Sequence, residues 1–127
     1  MKLLPINAPD APQPRGNYAQ AVLVTGATRW LYISGQIPVN AEGKVPASFQ
    51  DQARQTWRNL LAQLESADMR VENLVNVTTF LASREYALEY RAIRAEFLGA
   101  LSPALTVIIT GIFDESWLIE VEAVAAA

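Results

Sequence analysis

Only two stretches of the chain carry the apolar spacing of a helix; the other patterned stretches read as strands. The first follows Ser48, with Asp51 three residues on in a variant of the capping box, and places apolar side chains at Phe49, Ala53, Trp57, Leu60, Leu61 and Leu64. The second follows a Ser83 cap and runs its stripe through Tyr86, Tyr90, Ile93 and Phe97. A helix buries a single stripe, so two of them cover one face of a four-to-six-stranded sheet and leave the other bare. The simplest cover for the bare face is another copy of the same chain. A homo-oligomer is therefore expected before any residue is given a chemical role.

Four of the seven prolines fall in the first sixteen residues, which read as an extended arm lying on a surface. Gln20 to Thr25 and Trp30 to Ser34 are β-rich runs joined by Gly26-Ala27-Thr28-Arg29, a spacing that predicts a hairpin. Between the helices, Val75, Val77, Thr79 and Leu81 alternate with Leu74, Asn76, Thr78 and Phe80, a β-branched pattern expected of a strand covered on both sides. Pro103 stops the second helical region, ALTVIIT makes another strand, GIFDES turns, and the last strand closes the chain. The order is β-β-α-β-α-β-β in one domain over residues 1–127, with no internal repeat.

The last strand, WLIEVEAVAAA from residue 117, puts Trp117, Ile119, Val121 and Ala123 on one face and Leu118, Glu120, Glu122 and Val124 on the other. Carboxylates buried without partners cost several kcal/mol each. A solvated face would not usually flank its charges with Leu and Val, whereas a wet crevice between protomers could. The bare sheet face and the acidic strand face thus point to the same place.

The absence of both Cys and His removes thiol nucleophiles, a Ser-His relay, disulfides, imidazole acid-base chemistry and any ordinary zinc site. Chemistry is left to Asp, Glu, Tyr, Ser, Thr, Arg, Lys and the backbone, with no metal or cofactor implied. A net charge of -3 with scattered basic residues gives no nucleic-acid footprint. No apolar run is long enough for a membrane span or signal peptide, so a cytoplasmic protein is the expectation.

GNYAQAV (16–22), ISGQIPVN (33–40), QARQ (52–55), VTTFL (77–81), SPA (102–104) and IEVEAVA (119–125) together resemble the reactive intermediate deaminase family, also called RidA/YjgF/UK114. The resemblance implies a chorismate-mutase-like α+β fold, a mixed sheet with two helices packed on one face, and a homotrimer with ligand clefts at the subunit interfaces. It implies hydrolysis of imines and enamines to 2-oxo acids and ammonia. In that pattern a Glu on the last strand handles the attacking water, and matches Glu120; an Arg directly after the Pro-Ala of the penultimate strand grips the substrate carboxylate, and here that position is Leu105. Tyr18, Ser34 and Gly35 match the glycine-loop tyrosine and the ISGQ turn, and an asparagine of some members falls near Tyr90.

Leu105 cannot imitate the bidentate pair of a guanidinium with a carboxylate. Either the ligand differs from a simple 2-imino acid or another cation serves, with Arg15 beside the glycine loop as the candidate. Glu120 is the catalytic candidate, and Glu122 is a like charge on the same face; the alternative is that both pair with arginines across an interface. Tyr18 donates a hydrogen bond or walls the cleft, or is a packed aromatic. Backbone amides at Ser34 and Gly35 can bind an anion, although a plain turn accounts for them too. Thr106 could hydrogen-bond a ligand, a role that a strand threonine does not need. The tyrosine stripe of the second helix reads as core. Three functions remain: a deaminase-type hydrolase shifted away from simple 2-imino acids, a non-catalytic small-ligand-binding or regulatory trimer, and an endoribonuclease, which the acidic charge and missing His disfavour.

Overall fold

The computed structural model describes residues 1–127. Helix α1 (Phe49–Ser66) begins where the Ser48 hydroxyl accepts the Asp51 N–H at 3.1 Å, and buries Phe49, Ala53, Trp57, Leu60 and Leu64 as its spacing requires. Gln52, inside the QARQ segment, is buried too. Its amide donates to the carbonyls of Pro46 and Ser116 at 3.0 Å each and accepts the Leu118 N–H at 2.8 Å, fixing the helix start to the loop before the last strand. Helix α2 (Ala87–Leu98) starts later than its pattern suggests, because Ser83 caps a single 3-10 turn (Arg84–Tyr86) that leads into it. Tyr90, Ile93 and Leu98 are its buried residues.

Six strands are present: β1 (Lys2–Ile6), β2 (Ala21–Thr25), β3 (Trp30–Gln36), β4 (Leu74–Leu81), β5 (Ala104–Ile109) and β6 (Ile119–Ala126). The main sheet has the order β3-β6-β4-β5; β6 is antiparallel to both neighbours, and β4 and β5 are parallel, as the helical crossover between them demands. This is the expected α+β fold with a mixed sheet. Ile119, Val121, Ala123 and Ala125 of β6 and Val77 and Leu81 of β4 meet Trp57, Leu60, Leu64, Tyr90 and Ile93 in one core. Burying side chains such as Leu60 and Leu64 contributes about 1.5–3 kcal/mol apiece. The terminal alanines are held as well, Ala125 and Ala126 being fully buried.

The hairpin expected from residues 20–34 does not form. β2 pairs antiparallel with β1 in a separate two-stranded sheet, Leu3 opposite Val24 and Pro5 opposite Val22, while β3 pairs with β6. The end of β6 is what captures the connection: the N–H groups of Thr28 and Arg29 both donate to the Ala127 carbonyl, at 2.9 and 3.0 Å, and the Ala127 N–H returns to Arg29 at 2.9 Å. Those bonds turn the chain onto β6 instead of back onto β2. The arm is likewise part strand, since Pro5 is tolerated on a strand with only one neighbour.

Opposite the helices the main sheet is open. Phe80 lies across from Glu120, Thr78 from Glu122, and Tyr32 from Val124, with Thr106 and Ile108 beside Thr78 and Phe80 on β5. Tyr32 is 77% exposed and Trp30 49%, exposures that large aromatics on a strand keep only where nothing packs over them.

Candidate functional site

The named residues divide between the two faces of this sheet. On the helix side, Leu105 sits beside Val77 in the parallel register and so faces α2. Between them lies a cavity of about 350 Å³ lined by Tyr18, Gln20, Ala87, Tyr90, Arg91, Arg94, Leu105 and Val107. The glycine loop reaches it because buried Ala19 bridges to Ala104, its N–H donating to the Pro103 carbonyl at 3.0 Å, and because the Asn17 amide donates to Gly99 at 2.9 Å. The Tyr18 hydroxyl accepts the Arg15 N–H at 3.4 Å. The Arg15 side chain is exposed and does not line the cavity.

Tyr90, the position matched to the second-helix asparagine, is spent on the core. Its hydroxyl accepts from the indole of Trp57 at 3.2 Å and shares a hydrogen bond with Thr79, and burial raises its pKa above the ordinary tyrosine value. The polar groups that α2 offers the cavity are instead Arg91 and Arg94. The Arg94 guanidinium lies 5.5 Å from the centre of the Tyr90 ring. Burial lowers its pKa and nearby Arg91 adds to the effect, against the opposing influence of Tyr90. Neither arginine has a carboxylate partner; the one ion pair in the chain is Arg54–Glu96, on the outer surface. The cations at the cavity are thus on α2 and not in the arm, where Arg15 was the candidate. Their i, i+3 spacing, beside a tyrosine that belongs to the core stripe, was the available signal.

On the open face stands half-buried Glu120, with exposed Glu122 two residues along. The Glu120 carboxylate occupies the space where any side chain at Gly35 would be: a Cβ there would lie 2.8 Å from the carboxylate carbon. Gly35 falls at the irregularity between Ile33 and Gln36 in the β3–β6 pairing, and the missing side chain is what allows the approach. Ser34 is exposed, its carbonyl accepting from the Gln36 amide at 2.9 Å. Thr106 is exposed on the open face, so Leu105 and Thr106, adjacent in sequence, look to opposite sides.

Glu120 is level with Phe80 and Ile108, two strands across and three residues along from Leu105. At about 4.8 Å between strands and 3.3 Å per residue, their backbones are roughly 14 Å apart on opposite faces. One protomer therefore brings together Tyr18 with Leu105, and Glu120 with Gly35, but not the two pairs with each other. No cluster of three acidic, His or Cys side chains suited to a metal is present, and no helix is long and apolar enough to cross a membrane.

The mixed sheet carrying two helices on one face is the α+β fold that the sequence resemblance implies. The Endoribonuclease L-PSP family matches residues 8–127, and the chain belongs to this family, the RidA/YjgF/UK114 group. The 2-iminobutanoate/2-iminopropanoate deaminase of Escherichia coli is 33% identical over 120 residues, covering 91% of each chain. A Rid-family protein of Yersinia pestis, YyfB, superposes with a TM-score of 0.86 at 27% identity over the whole of both chains. Escherichia coli TdcF with bound serine gives 0.74 at 26% identity over 98% of each.

Proposed function

We propose that the chain is an imine or enamine hydrolase of the deaminase type, acting as a homotrimer in which the α2 cavity of one protomer is completed by Glu120 and Gly35 of the next. The observation that carries this reading is the Glu120 carboxylate, held against Gly35 on an uncovered sheet face with no cation of its own chain to neutralise it. A carboxylate placed there faces whatever covers the sheet, and the family's deaminases, together with the serine held by TdcF, favour a small amino-acid-derived ligand. Tyr18 and Leu105 wall the cavity side; Ser34, Gly35 and Thr106 lie on the open-face side.

In the reaction, an enamine first tautomerises to the imine, and Glu120 accepts a proton from water as the water oxygen adds to the carbon of the protonated C=N, giving a neutral carbinolamine. Glu120 returns that proton to nitrogen, the C–N bond breaks as the oxygen closes the C=O bond, and the hydroxyl proton passes back to Glu120 as ammonia leaves. Leu105 shifts the substrate class away from small 2-imino acids, whose carboxylate has no cation on β5. The same leucine is the one feature favouring the second reading, a trimer that binds a small ligand without turnover.

The test is ammonia release from 2-aminoacrylate, generated in situ by a dehydratase, and from imines with longer side chains, with and without Glu120→Gln. A fall of about 10²–10⁴ in the variant on any imine is the expected result. Rates equal to the uncatalysed ones across the whole series would leave the binding trimer.

A further inference from the structure

We infer that Arg91 and Arg94 form a carboxylate clamp on α2, standing in for the cation missing from β5, and that the cavity takes 2-imino acids with an apolar side chain seated on Leu105 and Val107. This rests on the hydrolase reading above and names its substrate class. Three observations support it. Arg94 is half-buried against Tyr90, and neither its guanidinium nor that of Arg91 meets any acceptor of the chain. Like charges three residues apart oppose each other on a helix, and no carboxylate of the chain offsets this pair. Both line the same cavity, beside the Tyr18 hydroxyl and across from the apolar wall of β5.

The geometry selects among anions. Two guanidiniums match the two oxygens of a carboxylate. A phosphate would use the same donors, but it would leave Leu105 and Val107 facing a dianion. A monocarboxylate with an aliphatic body uses both walls. The cavity volume of about 350 Å³ is at the small end of the roughly 300–1,000 Å³ of ligand pockets, which suits a metabolite rather than a polymer. Carboxylate recognition moves from the strand to the helix, and the vacated strand position becomes the side-chain subsite. The arginines only hold the ligand; the proton transfers remain with Glu120.

The experiment is calorimetric titration of the intact oligomer with the product-side 2-oxo acids, which are stable where the imines are not. The probes are pyruvate, 4-methyl-2-oxopentanoate, the uncharged amide of the latter, and inorganic phosphate. The proteins are wild type, Arg91→Gln, Arg94→Gln and the double variant, each checked by circular dichroism and light scattering. The branched acid should bind about 10-fold or more tightly than pyruvate, its amide or phosphate, and the double variant should lose about 100-fold. Arg91 is exposed, so its single variant keeps the fold and still reports a loss. Equal binding of acid and amide, phosphate binding as tight as the acid, no binding of the acid at millimolar concentration, or unchanged affinity in the folded variants would overturn the clamp. Turnover separates the two claims: tight acid binding without imine hydrolysis removes the hydrolase and leaves the clamp, whereas full hydrolysis by the double variant removes the clamp and leaves the hydrolase.

Discussion

Replacing Gly35 by Ala should separate catalysis from stability. The new Cβ would lie 2.8 Å from the Glu120 carboxylate carbon and closer still to its oxygen, so that end of the side chain must move. The side chain is flexible there and yields without disturbing the backbone. Gly35 is also not among the glycines with positive φ, so alanine meets no conformational penalty. Stability should change by less than about 1 kcal/mol, the usual scale of a Gly-to-Ala change at a compatible position. The reacting geometry should suffer far more, because a displacement of about 1 Å at a catalytic group costs on the order of 100-fold in rate. The assay is ammonia release under kcat/KM conditions, with a thermal melt on the same samples. An alanine variant that keeps both its melting temperature and its full rate would show that the Glu120 position against Gly35 has no bearing on chemistry. One that unfolds would show that Gly35 is held by backbone demands instead.

Other expectations follow from the buried polar groups. Tyr90→Phe leaves the Trp57 indole N–H and the Thr79 hydroxyl without their shared partner, which should cost about 2–4 kcal/mol in urea denaturation. Gln52→Leu removes three bonds between α1 and the loops around it and should lower stability by a comparable amount of about 2–4 kcal/mol, again read from urea midpoints. Burial raises the Tyr90 pKa, so native protein holds this proton while the unfolded chain releases it above pH about 10. The stabilising contribution is complete below that pH and is lost as pH rises through the native value. Absorbance titration at alkaline pH should therefore show one of the four tyrosines ionising only with unfolding.

The elements were legible wherever a period was strong. The α1 stripe, with Ser48 ahead of it, fixed both the helix and the face it buries, and the alternation around Glu120 and Glu122 predicted an uncovered acidic face. Pairing partners were not legible. A four-residue turn between β2 and β3 looks like a hairpin locally, and nothing near it shows that Ala127, about a hundred residues on, will take up its N–H groups. The site was readable to the same degree. Glu120 and Gly35 could be named from the strand pattern and the resemblance, yet that they stand on the opposite sheet face from Leu105 depends on the β4–β5 register, which is set by long-range pairing. Arg91 and Arg94 were not legible as cavity residues, because on a helix pattern alone they read as a solvated flank of the Tyr90 stripe, and only packing shows Tyr90 turned into the core with the arginines left at the cavity.

Mixed oligomers test directly whether the site is shared between copies. Glu120→Gln removes the carboxylate, and Leu105→Trp fills the cavity; each variant alone should be inactive on imines. Co-refolded in equal amounts, random assembly places an intact cavity next to an intact carboxylate at about one quarter of the junctions of a ring, and activity should return to about that fraction of wild type. A mixture no more active than the sum of its two parents would contradict the shared site.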